Sequence, residues 1–236
     1  MIYEDDGAER LVLDGEFDIA IPFSITCEGD EPRIGVFPSQ RSGAEEFLRL
    51  FGDSEDNIFS ERAIDWARRR FEPFLNENGF VLCEDNDDYF LEYRITNPDS
   101  RFILDGTLRL DGPITLENLT GYDFDAMIQN GHICYAAVAD GRIVSAACTN
   151  YSCALTADEG DEREIEIGVE TAPEYRNRGY GLSCAAALAS GLADRGYAVL
   201  YECESRNAAS IALVNRLGGE LFARNFCVVG TRIAGD

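Results

Sequence analysis

Residues 169–188 read VETAPEYRNRGYGLSCAAAL: the end of a strand-like run, a proline, a turn rich in arginine and glycine, and a run of small apolar residues. The apolar run puts Leu182, Ala185, Ala186, Ala189, Leu192 and Ala193 on one helical face, with Gly196 placed to stop it. A loop that leaves a strand and opens a helix presents unpaired backbone N–H groups together with the positive end of the helix dipole, a setting that suits phosphate. Gly179 and Gly181 let the backbone come close to a ligand and permit positive φ, while Arg176 and Arg178 add charge that deprotonation cannot remove. Taken alone, the turn reads equally well as an ordinary surface loop, because short glycine motifs recur by chance.

Charge distribution says where an anion would belong if one is bound. The formal net charge is -24, all 20 basic residues are arginine, and lysine is absent, so general binding to a nucleic-acid backbone is disfavoured. Residues 1–115 hold 27 acidic and 11 basic side chains, whereas residues 170–236 hold seven of each, which assigns an anionic ligand to the C-terminal stretch. With 236 residues and 45% hydrophobic content the chain can build one large domain or two modest ones. Its acidic start has no basic-then-apolar leader and no apolar run is long enough to span a bilayer, so a soluble cytoplasmic protein with no membrane partner is expected. The eight cysteines are scattered without a CxxC and are expected to be reduced, buried small hydrophobes. His132 is the only histidine, which argues for a structural or surface role and against any metal site.

The first third alternates strand-like runs (residues 17–26 and 32–39) with helical ones. Phe59, Ala63, Trp66, Ala67 and Phe71 form a core-facing helical stripe that Pro73 is expected to end. FVLCEDNDDYFLEYRI, residues 80–95, reads as a hairpin with an acidic turn. A change of style near residue 113 marks an expected boundary between an N-terminal subdomain, 1–112, and a second domain, 113–236. There, ITLENLTGYDFDAMIQ reads as a short strand entering a helix, and two strands join at Asp140-Gly141, the strongest hairpin signal in the chain. After the acidic loop TADEGDE come strand REIEIGVET, the glycine turn and its helix, strand AVLYECE, helix AASIALVNRLGG and a last strand FARNFCVVGTRI. That order describes a mixed sheet with helices packed on it.

The string 169–188 resembles motif A of the Gcn5-related N-acetyltransferases (GNAT), whose loop follows Q/R-x-x-G-x-G/A; Arg176, Gly179 and Gly181 fill the three fixed positions. Asn207, opening the next helix, and Leu217-Gly218, at its end, also stand where that family places such residues. IVSAAC, EIGVET and YECESRNAAS further resemble the subgroup that includes zwittermicin A resistance acetyltransferases. The resemblance covers about residues 113–236 and implies an α/β (α+β) fold: a mixed central sheet with splayed parallel strands and flanking helices, preceded by a smaller α+β subdomain. A dinucleotide-binding reading of Gly179, Gly181 and Cys184, with Glu202 closing the next strand, is weaker: the third glycine is a cysteine and the loop is too long.

By resemblance, acetyl-CoA is the cosubstrate. Ile167, Gly168 and Val169 would pair with its pantetheine arm and polarise the thioester carbonyl, the amides from Arg178 through Gly179, Tyr180 and Gly181 to Leu182 would take the pyrophosphate, and Asn207 with Ser210 would meet the pantetheine. The acceptor is expected to be a primary amine of a small molecule. Deprotonating a lysine-like amine at pH 7 costs about 4.6 kcal/mol, so a base is useful. Glu166 and Glu164 alternate on the strand beside the thioester; Glu166 is the favoured base and Glu164 the alternative, while exposed strand carboxylates without a role are also ordinary. The family's thiolate-protonating tyrosine is replaced here by Val214. The alternative reading is a non-catalytic acyl-CoA-binding or interaction module. The N-terminal region would wall the acceptor pocket, form a homodimer or be a degenerate copy of the same fold.

Overall fold

The computed structural model describes residues 1–13, 17–29, 31–84, 87–110, 124–150 and 164–233. Along the chain the elements are β1 (Ile2–Glu4), α1 (Asp6–Leu13), β2 (Ile19–Glu28), β3 (Glu31–Val36), α2 (Arg41–Phe51), α3 (Glu55–Ile58), α4 (Glu61–Glu77), β4 (Phe80–Leu82) and β5 (Phe90–Ile95). There follow β6 (Thr107–Leu110), α5 (Phe124–Gln129), β7 (Cys134–Ala139), β8 (Arg142–Thr149), β9 (Glu164–Thr171), α6 (Tyr180–Ala193), β10 (Ala198–Glu204), α7 (Ala208–Arg216) and β11 (Gly219–Arg232). Two compact units result: Met1–Leu91 with Glu204–Arg206 and Phe222–Asp236, and Glu92–Cys203 with Asn207–Leu221. The boundary expected near residue 113, the strand start in ITLENL and the loop TADEGDE lie outside the described residues.

In the first unit β2 alternates from Phe23 on, sending Phe23, Ile25 and Cys27 into the core, and Ala20, also buried, lies beyond a register shift between Val228 and Gly230 of β11. It pairs antiparallel with β3 on one side and with β11 on the other, β1 runs parallel to β3, and β4 pairs with β11. Phe23 stacks on Phe71 of α4 at 4.8 Å and tilts against Phe47 of α2 at 5.1 Å, so the expected aromatic stripe is core. Each such buried ring contributes roughly 1.5–3 kcal/mol. Ser60 caps α4 by accepting a hydrogen bond from Ala63 N. Pro73 does not end this helix, which runs four residues further; buried Phe74 and Leu75 hold the last turn against the core despite the lost N–H.

The hairpin expected over residues 80–95 is also absent. β4 pairs with β11 from Phe80↔Arg232 to Leu82↔Gly230, and β5 lies beside β10. The connecting acidic stretch has a task instead: buried Asp88 accepts hydrogen bonds from Ser205 Oγ at 2.7 Å, Arg206 N at 3.0 Å and Tyr89 N at 2.8 Å. Removing this carboxylate strands three donors, so Asp88→Ala should cost about 2–4 kcal/mol, read as a fall in urea midpoint, while Asp88→Asn should cost clearly less. Equal midpoints for parent and Asp88→Ala would refute that role.

The sheet of the second unit has the order β5-β10-β9-β8-β7-β6, with β9 and β10 parallel and the others from β9 to β6 antiparallel. Asp140 and Gly141 both have positive φ, 51° and 74°, as a two-residue hairpin turn between β7 and β8 requires. Directly opposite on that hairpin, Cys134 and Cys148 form a disulfide, which corrects the expectation of eight reduced thiols; their strand register, with Cα atoms 4.2 Å apart, brings the two sulfurs together. α6 packs over β7, β8 and β9 and is buried on nearly every side, which its alanines make possible. Its buried Ser183 is satisfied by Leu104 N, which donates at 2.8 Å, and by Thr107 Oγ1 at 2.7 Å.

Candidate active site

β9 and β10 begin as a parallel ladder of three pairs, Ala198↔Glu164, Val199↔Ile165 and Leu200↔Glu166, and the ladder stops there. β9 continues to Thr171 and β10 to Glu204, so two neighbouring strands fork beyond Glu166. On its other side β9 stays paired with β8, from Thr149↔Ile167 to Ser145↔Thr171. The fork is therefore a gap between intact ribbons, bounded on one edge by the backbone of Ile167, Gly168 and Val169.

Odd-numbered β9 residues face α6: Ile165 and Ile167 are buried, and Val169 and Thr171 approach the helix at Gly181. A Cβ at Gly181 would stand 2.8 Å from Thr171 Oγ1, so close packing, more than φ, demands glycine there. Gly179 is the residue that needs its freedom, with φ 88° at the helix N-cap. Ser183 N donates the first intrahelical bond to Gly179 O, which leaves the amides of Tyr180, Gly181 and Leu182 ahead of the ladder. These amides open onto a cleft of about 600 Å³ lined also by Val169, Thr171, Arg176, Asn207, Ser210, Leu213 and Arg216.

The expected cofactor residues thus largely converge. Arg176 lines the cleft, its Nε donating to Thr171 O at 3.1 Å. Arg178 does not line it; its guanidinium lies over the Tyr175 ring at 5.2 Å. Ile167 and Gly168 border the fork and not the cleft wall, whereas Val169 belongs to both. Asn207 caps α7, Oδ1 accepting from Ser210 N at 3.1 Å, which turns its NH₂ group into the end a ligand can meet. Arg216 is a cleft cation that sequence reasoning missed, held with its guanidinium 4.8 Å from the Phe102 ring. Its only sequence signal was a basic residue in the last turn of the helix that Asn207 opens.

Even-numbered β9 residues point to the opposite face, together with Leu200 and Glu202 of β10. Glu164 is committed to an ion pair with Arg94 at 2.6 Å. Glu166, the last residue of the ladder, accepts a hydrogen bond from Asn150 Nδ2 at 2.6 Å. Burial first, then the Glu202 carboxylate, raises the Glu166 pKa above the ordinary carboxylate value; the Asn150 bond opposes this and Glu92 adds to it. A half-buried carboxylate that binds a proton more tightly than usual, at the mouth of a fork, is equipped to take one from an incoming cation.

Other candidates are weaker. Val214 is fully buried, and a Cβ on Gly219 would come within 2.5 Å of its Cγ2, so the position is packed core and holds no thiolate-protonating group. Burial pushes the Cys184 thiol up to about 12 and the Cys27 thiol up to about 11, which removes both as nucleophiles. His132 Nδ1 donates to Thr149 O at 2.6 Å, a structural contact. Among the described residues no cluster of His, Cys, Asp and Glu could hold a metal, and no helix is long and apolar enough to cross a membrane.

Residues 122–223 match the family model described as GNAT acetyltransferase, and over this stretch the chain is similar to that superfamily. Among solved structures, the chain is similar to a protein from Novosphingobium aromaticivorans assigned to the GNAT acetyltransferases, with TM-score 0.51, 21% identity, and 66% of this chain and 69% of that one covered. A GCN5-related N-acetyltransferase-like protein from Streptococcus suis gives TM-score 0.44 at 16% identity, covering 68% and 69%. A tandem GNAT protein from the clavulanic acid biosynthesis pathway gives 0.46 at 16%, covering 85% and 73%. At 21% identity the first likeness speaks for the fold alone. No curated protein matches the chain in sequence.

Proposed function

We propose that the protein is an N-acetyltransferase that moves an acetyl group from acetyl-CoA to a primary amine of a small molecule, by direct attack in a ternary complex. The observation that carries this reading is the fork of β9 and β10 beside the cleft at the start of α6. The diphosphate of CoA would rest on the amides of Tyr180, Gly181 and Leu182, with Arg176 and Arg216 as counter-ions and the helix dipole aligned. The pantetheine would lie along Ile167, Gly168 and Val169, and Asn207 would donate to it. The N–H groups bordering the fork would polarise the thioester carbonyl. On the far face Glu166 would accept the amine proton; Glu164, already paired with Arg94, is the poorer base. The acidic surface suits a cationic acceptor, and we place the enzyme in the cytoplasm.

Incubation with acetyl-CoA and a panel of polyamines, aminoglycosides and amino acids should release free thiol and yield a product heavier by one acetyl group. Absence of both thiol release and CoA binding across the panel would overturn the proposal. Val214 favours one second reading, a non-catalytic acyl-CoA-binding module, since no acid stands at that position. Tight CoA binding without transfer by the parent chain would select it.

A further inference from the structure

We propose that Asn150 is a positioning residue for acyl transfer: it clasps one carboxylate oxygen of Glu166 and so reserves the other for the proton of the acceptor ammonium. The inference rests on Glu166 being the base, as proposed above. Asn150 holds Glu166 twice, its backbone N donating to Glu166 O at 2.9 Å and its Nδ2 to Glu166 Oε1 at 2.6 Å. One bond fixes where the residue starts and the other fixes where its side chain ends, which is more than either does alone.

The placement of Asn150 is imposed from below. Thr149, the residue before it, is fully buried; its N donates to Ile133 O at 3.0 Å, its Oγ1 accepts from Ile133 N at 3.2 Å, and its carbonyl accepts from His132. Cys148, one residue earlier, is bonded to Cys134. β8 therefore ends on a pinned backbone that delivers Asn150 beside the last rung of the β9–β10 ladder.

The charged groups around Glu166 explain why a neutral donor is useful. Glu202 on β10 and Glu92 on β5 both oppose its ionisation, and Arg94 on β5 is engaged by Glu164 of β9. A cation against Glu166 would make it a weaker base, and with no donor at all its proton affinity would rise further and its side chain would be unheld. An amide donor lowers the proton affinity partway and orients the acid at the same time. In the step this serves, the ammonium gives one proton to the second Glu166 oxygen. The freed nitrogen lone pair then forms the C–N bond to the thioester carbon, the C–S bond breaks with its electron pair on sulfur, and the nitrogen's surplus proton passes to that thiolate.

In the full chain, Asn150→Ser, Asn150→Ala and Asn150→Asp are compared with the parent and with Glu166→Gln. The Glu166 carboxyl titration is followed by carbon-13 NMR, identified as the signal missing in Glu166→Gln, alongside CoA affinity and the pH profile of kcat/KM for the amine that the panel identifies. The expected result is unchanged CoA affinity with the carboxyl titration and the acidic limb of the profile both moved to higher pH. The move is least for Ser, about one unit for Ala and larger for Asp, whose added charge opposes ionisation. kcat/KM below the limb should fall about tenfold for Ala. A titration and limb that stay in place in Asn150→Ala, while Glu166→Gln abolishes the limb, would overturn the positioning role and leave the base intact. A limb that survives in Glu166→Gln, or a parent that turns over no amine, removes the base and this inference with it.

Discussion

Replacing Arg176 and Gly179 together by alanine should raise the dissociation constant of CoA well over tenfold, more than about 1.4 kcal/mol of binding free energy. Two independent losses make up the effect. Gly179 sits at φ 88°, where an L side chain costs about 1–2 kcal/mol, so the Ala variant relaxes the turn that aims the α6 amides even though space for a Cβ exists. Arg176→Ala removes a cation from the cleft wall, and a charge-assisted bond to phosphate is worth about 1.5–3 kcal/mol. Calorimetric titration reads the constant directly, and Arg176→Lys should recover part of it. An unchanged constant would place the diphosphate elsewhere.

Glu166→Gln should lower transfer by a factor of about 10²–10⁴ while CoA affinity stays within a few-fold, since the side chain lies on the face away from the cleft. In the parent, kcat/KM should rise with pH through a limb above the ordinary glutamate range, because burial, Glu202 and Glu92 raise the proton affinity of Glu166. Stability carries the opposite sign. The raised value means that protonated Glu166 favours the fold and that this contribution fades as pH rises through it. Glu166→Gln, always neutral and still able to accept from Asn150, should therefore melt above the parent at pH 7–8. The difference should close below about pH 4, where the parent is protonated in both states. A variant as active as the parent, or one less stable at pH 8, would contradict this account of the side chain.

Much of the fold could be read from local chemistry. Asp140-Gly141 demanded positive φ twice in succession and received it. Gly179, Gly196 and Gly218 each take positive φ at the helix ends that the pattern assigned to them. What could not be read depended on partners distant in sequence. FVL and FLEYRI look like two arms of a hairpin, yet β4 meets β11, nearly 150 residues later, because pairing is decided by which edge is open and not by proximity. Pro73 lost its power to stop a helix once Phe71, Phe74 and Leu75 were anchored in a core. The Cys134–Cys148 bond needed the β7–β8 register, which spacing alone does not give.

The candidate site divides the same way. Arg176, Gly179 and Gly181 stand in one contiguous turn, which a sequence displays directly, whereas Arg178 of the same turn lies over Tyr175 and does not line the cleft. Asn150 and Arg216 are not displayed in this way: one is brought to Glu166 by the β8–β9 ladder, the other to the cleft by the packing of α7, and neither stands in a motif. Arg94 likewise separates Glu164 from Glu166, two residues that a strand pattern treats as equivalent.

The most direct measurement is a titration of nitrogen-15-labelled protein with CoA, followed through its assigned amide signals. The largest shifts should fall on Gly179, Tyr180, Gly181 and Leu182 at the start of α6 and on Ile167, Gly168 and Val169 along the fork, saturating together. CoA that binds while those seven amides stay still, with the shifts gathered elsewhere, would contradict the assignment of fork and helix start as the cosubstrate site.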